Sequence, residues 1–228
     1  GDQNHPASEV EQAVGVTPAT PLAVIDLIAV GTHGPMGAPM QVLLIRHALP
    51  HRTAVGEGSD PELAAEGRQQ ALRLPAALAR FPVGRLVSSP QRRAFQTAEP
   101  VAAALGLSID VDERLAEYDR GMSHYVPIEA VRTERPGAVD AEAFRGRISS
   151  ALADIVAGAG HRDTVAVFTH GGVINVLLHE VLGTARLLSF PVDYASVTQL
   201  RYSRTGATTV ASVNVVEHVW DLLPRHRH

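Results

Sequence analysis

Two segments of this 228-residue chain run from an apolar stretch straight into a histidine: Val42-Leu43-Leu44-Ile45-Arg46-His47 and Val165-Ala166-Val167-Phe168-Thr169-His170, the latter followed by Gly171-Gly172. In open α/β sheets ligands bind outside the carboxyl ends of the strands, so two strand-end imidazoles share one crevice if their strands are neighbours. The glycines after His170 let backbone N–H groups approach a ligand closely, and a helix beginning there turns its positive end towards an anion. Arg46 beside His47, and Arg93 after Ser88-Ser89-Pro90, add guanidinium groups, which grip phosphate in a bidentate way that lysine does not. Any one of the eleven histidines taken alone reads more simply as a structural or surface residue, and Arg92 and Arg93 alone would be a solvated helix face. The equivalent placement of His47 and His170 is what points to an anion site.

Composition narrows the chemistry. There is no cysteine, which excludes disulfides, thiolate metal sites and cysteine nucleophiles. A net charge of −4 with 19% charged residues does not suit a chain that coats nucleic acid, so an anion site here must be local. Metal-ligand spacings such as His-Glu-x-x-His are absent, and His124, His161, His179 and His218 read as structural or surface residues. No metal and no cofactor are therefore expected. The longest apolar run, Pro21 to Val30, is broken by Asp26 and falls well short of the roughly 20 residues a membrane span needs. A soluble, cytoplasmic protein is the expectation, although a start at Gly1 instead of Met is compatible with a removed secretion signal.

The elements that must position these residues alternate between strand-like and helix-like patterns from Met40 onward. That alternation predicts an α/β fold, and the 39 residues before it, without a clear period at first and turn-rich from Gly31 to Pro39, read as an N-terminal extension to a domain over 40–228. The apolar stretch Leu22 to Val30 in that extension is expected to pack on the domain. Strands are expected at Val42–Ile45, Arg85–Ser88 and Thr164–Thr169, and helices over Glu62–Ala79, from Pro90 through Ala98, over Ala141–Ala157 and over Gly171–Leu182. Pro100 should kink or reset the second helix. Ser196–Tyr202 and Thr208–Val216 form a hairpin across Arg204-Thr205-Gly206, while residues 118–139 carry no clear period.

Between Met40 and Leu182 the chain resembles the histidine phosphatase superfamily, branch 1, the phosphoglycerate-mutase-like proteins. The likeness rests on five pieces in order: Arg46-His47; Leu63, Gly67, Gln70 and Ala71; Ser88 to Ala98; Leu115, Glu117 and Gly121; and Thr169 to Gly172. The resemblance implies a three-layer α/β/α sandwich with a mostly parallel central sheet. It further implies a phosphatase in which His47 is the nucleophile, Glu117 the general acid, and Arg46, Arg93, His170 and the Gly171 backbone hold the phosphoryl oxygens. The implied partner is a small phosphorylated molecule, with neither nucleic acid nor membrane, and a homodimer is compatible with the family.

Two departures bear on this. Where the family often continues after Gly121 with a Trp-Glu-Gly-like stretch, this chain has Met122-Ser123-His124-Tyr125, which leaves Asp119 and Glu113 as substitutes for Glu117. Where sugar-phosphate mutases of the family carry a Ser/Thr-x-Trp-Asn stretch, this chain has Leu49-Pro50-His51-Arg52, which argues for a phosphatase over a phosphomutase. A catalytically silent phosphate-binding module of the same fold is the alternative from another class. His51 and Arg52 read as an exposed loop pair that could meet an acidic substrate.

Overall fold

The computed structural model describes residues 39–131 and 140–224. The expected extension over 1–39 lies, apart from Pro39, outside the described residues, as does its apolar stretch Leu22 to Val30.

Strand β1 (Met40–Arg46) leads through α1 (Ala65–Leu78) to β2 (Val83–Ser88), α2 (Arg92–Leu105) and the short β3 (Ile109–Val111). After a 3₁₀ turn at Glu113–Leu115 come α3 (Ile128–Val131), α4 (Ala141–Ala157), β4 (Thr164–Thr169), α5 (Gly171–Leu182), β5 (Val197–Tyr202) and β6 (Thr208–Val215), with a closing 3₁₀ helix at Glu217–Leu222. The six strands form one sheet in the order β3-β2-β4-β1-β5-β6. The pairs β3-β2, β2-β4 and β4-β1 are parallel, and β5 and β6 run antiparallel as the expected hairpin, closed by Gly206 at φ +86°.

The three layers follow from the period-two alternation of buried strands. Val42 and Leu44 of β1 and Val165 and Val167 of β4 face one cluster with Phe144, Ile148 and Ile155 of α4 and Val173, Ile174 and Leu177 of α5. Leu43, Ile45, Ala166 and Phe168 point the other way, onto Leu74 and Leu78 of α1, Val101 of α2 and Val219 of the final 3₁₀ helix. A strand covered on both faces reads as a continuous apolar run, which is why β1 and β4 were visible in the sequence.

Two boundaries differ from the sequence reading. Glu62 and Leu63 precede α1 instead of opening it, because Leu63 N–H bonds Gln96 Oε1 and Leu63 also forms an antiparallel bridge with Pro50. Pro90 stands before α2, whose N-cap is Gln91, and the helix runs to Leu105 with Pro100 inside it, so Pro100 does not divide it. The aperiodic stretch 118–131 is mostly turn ending in the one-turn α3, and 132–139 lie outside the described residues.

Candidate active site

The register of β1 against β4 pairs Arg46 with Thr169. The next residues, His47 and His170, therefore leave the sheet side by side, with His47 N–H bonded to Thr169 O at 2.8 Å and ring centroids 5.2 Å apart. The two strand-end imidazoles meet because β1 and β4 are neighbours.

His47 is 2% exposed and His170 0%, so both imidazoles are desolvated. Burial, then the charges of Arg93 and Arg46, hold His47 well below the usual imidazole value. Burial, then Arg93, His47 and Arg46, do the same to His170. Both rings are neutral near pH 7 for that reason. His47 Nδ1 lies 2.8 Å from Ala48 O. A carbonyl only accepts, so Nδ1 carries the proton and Nε2 keeps its lone pair. His170 Nε2 bonds Ser89 Oγ at 2.7 Å, and its Nδ1 has no protein partner.

Arg46 and Arg93 are 1% and 0% exposed, which is unusual for arginine and requires partners. Arg46 donates to Val192 O and forks onto Glu129, at 2.5 Å from Nη1 and 3.3 Å from Nη2. Arg93 donates to Ser59 O at 2.7 Å and to Asp119 Oδ1 at 2.8 Å. The Nε of each arginine is buried without a protein partner. Unpaired buried donors are rare in native proteins, and here two stand with His170 around one crevice.

Glu117 arrives from the turn after the Glu113–Leu115 3₁₀ helix. Its backbone N–H is held by Gln91 Oε1 at 2.7 Å, and Arg147 of α4 donates to Ala116 O at 2.6 Å just before it. The carboxylate accepts from Gly172 N–H at 2.8 Å and from Tyr118 N–H at 3.1 Å. Burial, then the negative Asp119, nevertheless push it up to about 7. Of the two substitutes, Asp119 is bound to Arg93 and Gln91, and Glu113 is exposed and paired with Arg120.

Close approach explains the motif glycines. A Cβ on Gly67 would lie 1.9 Å from Leu49 O, one on Gly171 2.8 Å from Ile128 Cγ2, and one on Gly172 2.4 Å from Glu117 Oε1. Gln70 Oε1 takes Leu49 N–H and Thr97 Oγ1 takes Ala48 N–H, so α1 and α2 clamp the loop after His47. On its far side Ala195, a non-glycine residue at φ +56°, donates to Arg46 O and His47 O.

Two tyrosines complete the enclosure. Tyr125 lies 6.2 Å from His47 and under the Arg93 guanidinium, at 4.8 Å; Tyr194 lies 5.6 Å from His47 and under that of Arg46, at 4.0 Å. Their hydroxyls meet at 3.3 Å. The sequence does not mark either as a site residue, nor Gln91: the tyrosines come from aperiodic loops, and Gln91 is a variable-looking position inside the Ser88–Ala98 segment. His124 and Arg52 line a neighbouring cavity, whereas His218 bonds Ala195 O and His179 bonds Thr184. Among the described residues no group of three His, Cys, Asp or Glu is placed to hold a metal, and no helix is long and apolar enough to cross a membrane.

Fold and site together define a mixed-sheet α/β protein with two buried histidines at the ends of adjacent parallel strands. The chain belongs to the histidine phosphatase superfamily, branch 1, whose model matches residues 42–215. It is 35% identical over 130 residues to agropine synthesis reductase of Rhizobium rhizogenes, covering 56% of this chain and 29% of that one. Phosphoserine phosphatase 1 of Hydrogenobacter thermophilus is 32% identical over 100 residues, covering 42% and 47%. The chain thus spans less than half of either relative. A mycobacterial glucosyl-3-phosphoglycerate phosphatase solved with inorganic phosphate superposes with a TM-score of 0.62 at 26% identity, over 78% of this chain and 98% of that one.

Proposed function

We propose that the chain hydrolyses small phosphomonoesters through a phosphohistidine formed on His47. The observation that carries this reading is the His47 tautomer: with Nδ1 bonded to Ala48 O, a neutral Nε2 lone pair stands beside His170 in a pocket with two buried arginines. Names of two similar proteins, phosphoserine phosphatase and glucosyl-3-phosphoglycerate phosphatase, support the same reaction class.

In the first step His47 Nε2 attacks phosphorus, the P–O bond to the alcohol breaks, and the Glu117 carboxyl passes its proton to the leaving oxygen. Arg46, Arg93, His170 and the Gly171 N–H at the start of α5 hold the equatorial oxygens, where charge accumulates in the transfer. In the second step water attacks phosphorus, its proton goes to the Glu117 carboxylate, the P–N bond breaks, and phosphate leaves with His47 neutral again. A group that must give a proton and then take one works best with a pKa near the operating pH, and about 7 suits both halves.

The test is hydrolysis of 4-nitrophenyl phosphate with EDTA present. The parent chain is expected to turn over and His47→Ala to be silent. Undiminished activity in His47→Ala removes the assigned nucleophile, and strict loss of parent activity in EDTA removes the metal-independent reading.

A further inference from the structure

A cavity of about 750 Å³ opens on the outer side of the two tyrosines. Tyr125 and Tyr194 line it, yet His47, His170, Arg46 and Arg93 do not. The tyrosines thus form the wall between the cavity and the histidine pair, each ring within 6.2 Å of His47. The cavity offers room for the alcohol portion of an ester whose phosphoryl group lies at His47.

The walls come from the loop after β1, from residues 124–130 and from the loop before β5, and their bulk is apolar: Leu49, Pro50, Val126, Ile128, Phe190 and Val192. Their charged groups do not favour an anion. The Glu129 carboxylate lies on Arg46 at the inner edge, and Asp193 accepts from Asn214 Nδ2 at 2.8 Å. Arg52 of the lining is solvent-exposed and the His124 ring is turned onto Ser123 Oγ at 3.1 Å, so a carboxylate on the leaving group would find two acids and no buried cation. Pockets of this size with predominantly hydrophobic and aromatic walls enclose ligands the size of a drug molecule.

We infer that the cavity takes an uncharged, largely apolar leaving group, so the preferred substrates are phosphate monoesters of bulky aryl-alkyl or medium-chain alcohols and not of carboxylate-bearing ones. This rests on the reading of the His47 pocket as the phosphoryl site. It separates the chain from relatives whose names specify phosphoserine or a phosphoglycerate.

The experiment compares kcat/KM of the full chain for ethyl phosphate, 2-phenylethyl phosphate, phosphoserine and 3-phosphoglycerate, with 4-nitrophenyl phosphate as the reference for turnover. The two alkyl esters leave as alcohols of similar basicity, so their ratio reports on the cavity. The 2-phenylethyl ester is expected to exceed the ethyl ester at least about tenfold, as contacts of a few methylenes in an apolar pocket give. Phosphoserine and 3-phosphoglycerate should do no better than the ethyl ester. Two wall variants, Phe190→Ala and Val126→Asp, should each shrink the phenylethyl-to-ethyl ratio while the ethyl phosphate rate is kept. Equal rates for the two alkyl esters, a preference for either carboxylate-bearing ester, or a ratio unmoved in both variants overturns the inference while the phosphatase reading stands. Silence towards every ester, 4-nitrophenyl phosphate included, overturns that reading and the inference with it.

Discussion

His47 and His170 stand one residue beyond the register pair Arg46 and Thr169, on parallel strands that touch, with their rings 5.2 Å apart. The sheet sets this relationship before any side chain packs. Everything else at the site adjusts charge and protonation around it: burial, then the two arginines, keeps both rings neutral, and Ala48 O selects the tautomer of His47.

The pH profile follows from Glu117. Its carboxyl, raised to about 7, must be protonated to serve as the acid, so kcat/KM for an alkyl phosphate is expected to fall about tenfold per pH unit above that value. Glu117→Gln should abolish this limb and lower kcat/KM about 10²–10⁴-fold for alkyl esters, with far less loss of kcat/KM for 4-nitrophenyl phosphate, whose leaving group needs no proton, while kcat falls for both because water loses its base. Asp119 is a cause of the raised value, so Asp119→Asn should move the limb to lower pH. A proton bound more tightly in the folded state makes stability fall as pH rises from about 4.5 to about 7, so Glu117→Gln should gain up to about 3 kcal/mol over the parent above pH 7. Chemical denaturation at pH 5 and pH 8 checks that sign.

Two glycines separate stability from activity. In Gly67→Ala the added methyl meets the backbone of Leu49 at 1.9 Å, which cannot swing aside, and a loss of about 1–3 kcal/mol is expected in thermal unfolding. In Gly172→Ala it meets the tip of Glu117, which can. That variant should unfold near the parent temperature and lose activity because the carboxyl is displaced. Gly146→Ala, with open space around it on α4, is the matched control and should gain about 0.5–1 kcal/mol.

The tyrosines act through their rings. Tyr194→Phe and Tyr125→Phe lose one hydroxyl contact of 3.3 Å and keep the faces under Arg46 and Arg93, so kcat/KM should change less than about threefold. Tyr194→Ala uncovers Arg46, and a desolvated cation over an aromatic face is worth up to about 2 kcal/mol, a loss of roughly thirtyfold. Steady-state kinetics of the three variants distinguish ring from hydroxyl.

The sequence already displayed what repeats with a period or carries a motif. β1 and β4 show because both faces are buried, and His47, His170, Arg46 and Arg93 follow from them and from the Ser88–Ala98 segment. The hairpin β5-β6 and helix α4 came within a residue or two of their expected bounds. Pro90 stands before α2 instead of opening it, and Pro100 does not end α2, whose Ala94, Ala98 and Val101 are buried. Tyr125, Tyr194, Gln91 and Glu129 were not legible as site residues. Tyr125 and Tyr194 sit in loops, Gln91 at the N-cap of α2 and Glu129 in the one-turn α3, and only the fold brings residue 125 against residue 194 and residue 46 against residue 129. Glu117 was named from the family pattern, but its raised pKa depends on burial that no local pattern announces.

The central claim is that the phosphoryl group passes through His47. Rapid acid-free quenching of the enzyme during turnover of ³²P-labelled 4-nitrophenyl phosphate, followed by peptide mapping, tests it directly. Alkali-stable, acid-labile label is expected on the peptide containing His47, absent in His47→Ala and persisting longer in Glu117→Gln, where water loses its base. Label on another residue, or the same label in His47→Ala, contradicts it.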